Sequence, residues 1–234
     1  MSIHGNKSRG PKLDLNDLGV THACLPTADG ALDQNGQVTA PLTSNYLDRL
    51  VTDGSDEQAW LQARARGITA TDVAKLTSIH SIPVVALEKL RPSTFTGNVF
   101  TEHGKTREPV IAEWVQARTG IEPSSSLFHA EPDPRHLATP DGIGMRSDGV
   151  LELAEIKTTG KGWDQIPGNY LRQVYWQQYV LGAQRTFFVW EQHRNFVPIA
   201  DEPASTWIER DDEAIAELVW LANGLIGELH RLTN

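Results

Sequence analysis

The sequence has little cysteine and no long apolar run. One of the 234 residues is a cysteine, Cys24, which excludes an internal disulfide framework and a four-cysteine zinc or iron–sulfur site. No stretch approaches the ~20 apolar residues that cross a bilayer, and the first residues lack the apolar core of a signal peptide. We therefore expect a cytoplasmic protein without membrane association.

The chain also lacks the basic excess that is typical of nucleic-acid-binding proteins, since its net charge is −9. The negative charge is unevenly distributed. Residues 201–234 carry eight acidic and two basic side chains, which accounts for two thirds of the excess. Any DNA-binding surface must then be a local basic patch, and its binding to duplex DNA should be weak and sensitive to salt.

Composition and apolar periodicity divide the chain near residue 54. Residues 1–54 are rich in Gly, Pro, Asn, Asp and Thr and show poor apolar periodicity, so we predict a weakly structured N-terminal extension. Within it, Asn35-Gly36 is typical of a small hairpin. The extension is either a partner-binding arm or a partly ordered segment. Residues 55–234 are predicted to form one domain.

That domain is predicted to be α/β (α+β), with a mixed central sheet flanked by helices. Apolar spacing and capping residues predict helices over 56–65, 69–75, 83–90, 101–118, 169–181 and 211–231. Strands are predicted near 126–130, 150–157, 186–191 and 196–199.

Two carboxylates and a lysine form the most informative pattern. Residues 151–157 alternate apolar and polar side chains as a strand does, so Glu155 and Lys157 share one face about 6.5–7 Å apart. The Pro140-Asp141 turn comes shortly before this strand and can bring a second carboxylate beside Glu155. Such a group suits a hard divalent cation and an attacking water. The alternative is a hairpin whose charges lie on a solvated face.

An arginine precedes a hydroxyl side chain at a predicted helix N-terminus. Trp60 is followed by Arg64, and then by Thr71 within the run Ile68-Thr69-Ala70-Thr71. Backbone N–H groups and a bidentate guanidinium can converge there on one phosphate. An ordinary helix cap beside surface arginines would give the same pattern.

Two further motifs lie on predicted helices. Gly104 precedes Glu108 in a helix that ends before Gly120, although the helix dipole alone also favours an early Glu. Further along, Gln173 and Gln177 share one helical face, although glutamines on a solvated face would look the same.

These four motifs, in this order across residues 60–179, resemble the lambda-type phage exonucleases, or YqaJ-like viral recombinases, of the PD-(D/E)XK nuclease superfamily. The resemblance implies a restriction-endonuclease-like core. It implies a 5′→3′ exodeoxyribonuclease that acts on duplex DNA ends and leaves 3′ tails for recombination. An endonuclease of the same fold and a non-catalytic DNA-end-binding protein remain alternatives.

The resemblance also implies partners and a setting. A single-strand annealing protein would use the 3′ tails, and the chain would form a homo-oligomeric ring. The protein would act in the cytoplasm of a bacterial or phage-infected host cell.

The same resemblance assigns a metal centre. Asp141 and Glu155 would hold Mg²⁺ or Mn²⁺, with the carbonyl of Ile156 as a further ligand. Glu108 would add an acidic ligand, together with Asp141, for a second ion. Lys157 would activate the water, with its pKa lowered near the metals.

Residues that contact phosphate are implied as well. Arg64, Thr71 and Thr139 would bind the 5′-phosphate of a DNA end. The family pattern places an arginine where this chain has Trp163, and Lys161 is the substitute that we predict.

A glutamine of the helix after Lys157 would help to hold the active-site groups. Gln173 is the first choice and Gln177 the second.

Overall fold

The structure, a computed structural model, describes residues 45–91 and 99–234. The predicted hairpin at Asn35-Gly36 and most of the predicted extension lie outside these ranges. Within them, no helix combines the length and apolar content that crossing a membrane requires.

The helices in chain order are α1 Glu57–Arg66, α2 Ala70–Val73, α3 Ile82–Leu90, α4 Val99–Thr119, α5 Gly168–Leu181 and α6 Asp212–Thr233. The strands are β1 Leu50–Thr52, β2 Ile68–Thr69, β3 Glu122–Pro123, β4 Leu127–His129, β5 His136–Ala138, β6 Gly142–Met145, β7 Leu151–Thr159, β8 Arg185–Arg194, β9 Val197–Pro198 and β10 Ala204–Glu209.

The larger sheet of the described chain has the order β10-β8-β7-β6-β3, with β9 paired to β8. The β7–β8 pair is parallel, and the other pairs are antiparallel. Since parallel neighbours need a crossover, α5 connects β7 to β8. This mixed sheet with helices around it confirms the predicted fold class.

Helices cover both faces of β7. Leu151 and Leu153 belong to an apolar cluster that includes residues of α5 and α6. Ala154 and Ile156, which alternate with them, join a second cluster with Ile111 and other residues of α4. The first six residues of β7 are all buried, so the strand brings its charged end directly out of the core.

A second, four-stranded sheet has the order β1-β4-β5-β2. Its β2–β5 pair is parallel, with Thr69 opposite Leu137. The close approach needs a glycine before β2, because a Cβ on Gly67 would lie 2.5 Å from the carbonyl oxygen of Arg135. This pairing brings the end of α1 and the start of α2 beside the turn that contains Thr139.

The structure differs from the predicted elements in several places, and it contains four short strands, β2, β3, β5 and β6, that the sequence did not predict. Residues 46–52, which the sequence grouped with the N-terminal extension, form a 3₁₀ turn and β1, which pairs with β4. The predicted strand at 196–199 is reduced to β9, because Asn195 and Phe196 adopt φ values of 51° and 66° in a tight turn. The sequence did not predict β10, which pairs with β8 over six residues.

Arg49 ties the first described segment to α5. Its side chain is buried, at 9% exposure, and its guanidinium donates to the carbonyls of Val180, Leu181 and His129. The last carbonyls of a helix have no partners within the helix. Arg49 therefore closes the C-terminal end of the helix that carries the glutamines.

We expect Arg49→Ala to lower the free energy of unfolding by about 2–4 kcal/mol, because it leaves several buried carbonyls without a donor. Urea denaturation followed by circular dichroism measures the change. Arg231→Ala is the control, since Arg231 pairs with Glu228 on the exposed side of α6 and should change stability by less than about 0.5 kcal/mol. Equal effects in the two variants would contradict this role.

Candidate active site

One cavity of about 510 Å³ brings together the predicted site residues of five separate segments. Its lining includes Arg64, Thr71, Glu108, Thr139, Asp141, Glu155, Lys157, Gln173 and Gln177.

Asp141 is fixed at the point where β6 begins. Its N–H donates to the carbonyl of Ala154 at 3.1 Å, and its Oδ2 accepts from the N–H of Ile156 at 2.7 Å. Because the N–H and C=O of a strand residue point to the same side, the carbonyl of Ile156 also points toward the edge where Asp141 lies. This is the orientation that a metal-ligand role for Ile156 requires.

Glu155 is held from two sides. It is 3% exposed, its Oε1 accepts from Lys157 Nζ, and its Oε2 accepts from Gln177 Nε2 at 2.7 Å. Lys157 Nζ lies 5.3 Å from the ring centroid of Tyr170, within the range of a cation–π contact. The carboxylate and ammonium therefore have defined positions.

The carboxylates crowd one another. Burial raises the pKa of Asp141 well above its usual range, and Glu155 and Glu108 add to the rise while Lys157 opposes it. Partial loss of hydration also raises the pKa of Glu108. The charge of Lys157 opposes this rise, and the charge of Glu155 adds to it. The negative charge exceeds what Lys157 alone can balance, which favours a bound cation.

The carboxylates beside Lys157 affect its pKa. Burial acts to lower it, but the carboxylates of Glu155 and Asp141 outweigh burial and raise the pKa above its ordinary value. The prediction of a lowered pKa assumed metal charge beside the ammonium. The protein groups alone keep Lys157 protonated.

The donors fit a hard divalent cation. Asp141 and Glu155 offer carboxylate oxygens and Ile156 a carbonyl oxygen, and Mg²⁺ in proteins often takes one or two carboxylates together with waters and a substrate phosphate. Within residues 45–91 and 99–234, no three His, Cys, Asp or Glu side chains are grouped closely enough to hold an ion by themselves. Glu108 therefore lines the cavity without completing a cluster of three.

The other end of the cavity can receive an anion. The guanidinium of Arg64 donates to the hydroxyls of Thr139 and Thr71, each at 3.5 Å. The same guanidinium lies 4.2 Å from the ring centroid of Trp60. Burial lowers the pKa of Arg64, with Asp72 opposing. The three residues predicted to bind the 5′-phosphate thus converge around one guanidinium.

Comparison with known families decides the relationship. The profile of the YqaJ-like viral recombinase domain matches residues 59–184, more than half of the chain. The chain belongs to this family. A comparison with curated proteins gives no match.

Solved structures resemble the fold of this family member. LHK-Exo, an alkaline exonuclease from Laribacter hongkongensis, has a TM-score of 0.56 at 23% identity, over 74% of this chain and 93% of its own. LHK-Exo in complex with dAMP gives 0.57 at the same identity and coverage. A phage-related exonuclease from Haemophilus somnus gives 0.54 at 10% identity, over 71% of this chain and 94% of its own. The PD-(D/E)XK type of fold is thereby confirmed.

The structure distinguishes between the two glutamines of this YqaJ-like domain. Gln177 bonds Glu155, and its Nε2 lies 3.4 Å from the carbonyl of Thr139. Gln173, the first choice from the sequence, lines the cavity one helical turn earlier. Lys161 is exposed in the loop after β7 and lies outside the cavity lining.

Four residues that line the cavity were not predicted from the sequence. Gly54 and Glu57 border it on one side and Ser124 and Ser125 on another. No motif marks these residues. The pairing of β1 with β4 and a hydrogen bond from the Ser125 hydroxyl to the carbonyl of Asp53 bring the two segments together. A Cβ on Gly54 would lie 2.6 Å from the carbonyl oxygen of Ser125, so the approach needs the glycine.

We expect Gln177→Leu to lower the single-turnover rate of DNA cleavage about ten- to hundred-fold, because a hydrogen bond to a charged group contributes about 1.5–3 kcal/mol. Gln173→Leu should have a smaller effect. Rapid-quench assays on one linear duplex compare the two. A larger loss in Gln173→Leu would return the active-site role to Gln173.

Proposed function

We propose that this protein is a divalent-metal-dependent 5′→3′ exodeoxyribonuclease that acts on the ends of duplex DNA. It removes nucleotides from the 5′-terminated strand and leaves a 3′ single-stranded tail. One observation carries the proposal. The guanidinium of Arg64 with its two threonine hydroxyls lies in the same cavity as Asp141, Glu155 and Lys157.

This arrangement favours an exonuclease over an endonuclease. A terminal phosphate can be bound at one end of the cavity while the next phosphodiester lies at the carboxylates. An enzyme that cuts within a strand gains nothing from a site for a terminal phosphate. Hydrolysis of the P–O3′ bond leaves a new 5′-phosphate on the shortened strand, and the same site can bind it in the next cycle.

The carboxylates supply the cation site of the proposed mechanism. Asp141, Glu155 and the carbonyl of Ile156 would hold Mg²⁺ or Mn²⁺, with Glu108 available to a second ion, and the bound ion would polarise the scissile phosphate and favour ionisation of water. Gln177 fixes Glu155 in the orientation that this requires. One structural neighbour, LHK-Exo, binds dAMP, a mononucleotide of the kind that this reaction releases.

Lys157 acts as a donor in this proposal. Its ammonium borders the same cavity as Asp141 and Glu155. It can orient the attacking water and stabilise charge that develops on the phosphate.

The product suggests the setting. A 3′ tail is the substrate of a single-strand annealing protein, which we propose as the functional partner in phage-type recombination. A homo-oligomeric ring around the duplex would keep the enzyme on its substrate, and the host-cell cytoplasm is where both act.

Digestion of linear and covalently closed circular duplexes tests the activity. With Mg²⁺ or Mn²⁺ the linear DNA should yield acid-soluble nucleotides and the circle should persist. Cleavage should fail in EDTA and with Ca²⁺, whose longer and looser coordination makes it a poorer Lewis acid. Lys157→Met and Glu155→Gln should lose cleavage while circular dichroism shows folded protein. Cutting of the circle would favour an endonuclease, and binding of ends without cleavage would favour a non-catalytic end-binding protein.

We expect Arg64→Ala to remove most of the preference for 5′-phosphorylated ends. A charge-assisted bidentate contact contributes about 1.5–3 kcal/mol, a preference of roughly ten- to hundred-fold. Time courses on duplexes that differ only in the terminal phosphate measure it. Arg66→Ala is the matched control, because Arg66 is exposed at the end of the same helix and does not line this cavity. If the wild type cleaves 5′-hydroxyl ends equally fast, the role of Arg64 is refuted.

A further inference from the structure

Aromatic side chains lie beside the catalytic pair on the same face of the sheet. In the parallel register, Phe188 of β8 is the partner of Glu155, and Trp190 is the partner of Lys157. Side chains of paired residues project to the same face, with the strands about 4.8 Å apart. Lys157 therefore has an indole as its immediate neighbour across the strands.

Two more rings extend this group. The ring centroid of Trp163 lies 5.2 Å from that of Tyr170 and 6.0 Å from that of Trp190, at an interplanar angle of 30°. Tyr170 in turn has Lys157 Nζ 5.3 Å from its centroid. We call Tyr170, Trp163 and Trp190 the aromatic platform.

The platform lies at the edge of the core, where its three rings pack against the buried cluster of Val174, Phe188 and Ile208. Phe188 beneath it is fully buried, at 0% exposure, whereas all three platform residues are half-buried and keep part of their surface in solvent. Exposed Lys161 stands two residues before Trp163 in the same loop. Aromatic rings with a nearby cation are the combination that binds unpaired nucleotides, through base stacking and phosphate attraction.

A second cavity borders both the active site and one platform residue, Tyr170. It measures about 480 Å³, and its lining includes Tyr170 and Thr158. It shares Glu108 and Lys157 with the cavity that contains Arg64. The catalytic groups thus lie between a site for the terminal phosphate and a space that leads to the aromatic rings.

We propose that the aromatic platform stacks the unpaired bases of the cleaved strand, on the 3′ side of the scissile phosphate. The inference rests on the proposed function. The terminal nucleotide lies between Arg64 and the carboxylates, so the strand must leave the catalytic centre on the other side. Nucleotides two and three, separated from their complement, then pass Tyr170 and reach Trp163.

Trp163 gives this chain its own means of holding the strand. Where the family pattern has an arginine, which holds phosphate, the indole offers a surface to a base. Stacking accepts every base, because each has a π face. The platform should thus hold the strand without sequence preference, and with less dependence on salt than a phosphate contact.

Equilibrium binding of 5′-phosphorylated hexanucleotides in Ca²⁺ tests the proposal. The oligonucleotides carry either all bases or abasic residues at nucleotides two and three. In the wild type, removal of these bases should weaken binding about tenfold or more. In Trp163→Leu the same removal should weaken binding less than threefold, while the affinity for the abasic oligonucleotide stays unchanged.

Two variants serve as controls. Trp163→Phe keeps a ring and should retain most of the wild-type discrimination. Trp207→Leu makes the same chemical change at another half-buried tryptophan, which packs against the apolar cluster that contains Ile111. It should leave the discrimination at its wild-type value.

The proposal is overturned if abasic residues at nucleotides two and three bind as tightly as bases in the wild type. It is also overturned if Trp163→Leu weakens both oligonucleotides equally, which would show a structural role. If Trp163→Leu does not fold, two abasic oligonucleotides are compared on the wild type. Loss of the bases at nucleotides two and three should weaken binding, and loss of the bases at nucleotides five and six should have little effect. Absence of cleavage of linear DNA would instead refute the proposed function.

Discussion

The hydrogen bond from the N–H of Ile156 to the carboxylate of Asp141 is the contact on which the site depends. It joins the turn before β6 to β7 just where the strand leaves the apolar core. A second bond, from the N–H of Asp141 to the carbonyl of Ala154, fixes the backbone of Asp141 to the same strand, and the Ile156 bond fixes its carboxylate. The β7–β8 pair places Phe188 and Trp190 beside the same strand end, and α5 adds Gln177 and Tyr170.

Crowded carboxylates at this centre destabilise the folded state. Burial and mutual repulsion raise the pKa of Asp141, and burial of unbalanced charge disfavours the folded state. The surrounding core offsets that cost, because β7 is buried on both faces up to Ile156. The fold thereby holds the carboxylates of Asp141 and Glu155 at the same end of β7.

The sequence could predict what depends on local spacing. Alternation along residues 151–157 placed Glu155 and Lys157 on one face. The position of Arg64 shortly before the helix N-terminus that carries Thr71 suggested a cation near a hydroxyl. It could not choose between Gln173 and Gln177, because both lie on the same face of α5 and the choice depends on how deeply the helix sits against β7. Neither β10 nor the wall formed by Ser125 has a local signal, since both depend on pairing between distant segments.

Arg49 donates to three backbone carbonyls. The part of the chain that folds alone should therefore include Arg49. A boundary drawn at residue 54, as composition suggests, would cut away β1 and the guanidinium that closes α5, although neither lines the cavity. A truncated protein that starts at residue 55 would then lose activity through a loosened helix and a displaced Gln177, with every catalytic residue still present. Residues 46–52 are therefore part of the folded domain, and shortened versions of the protein should keep them.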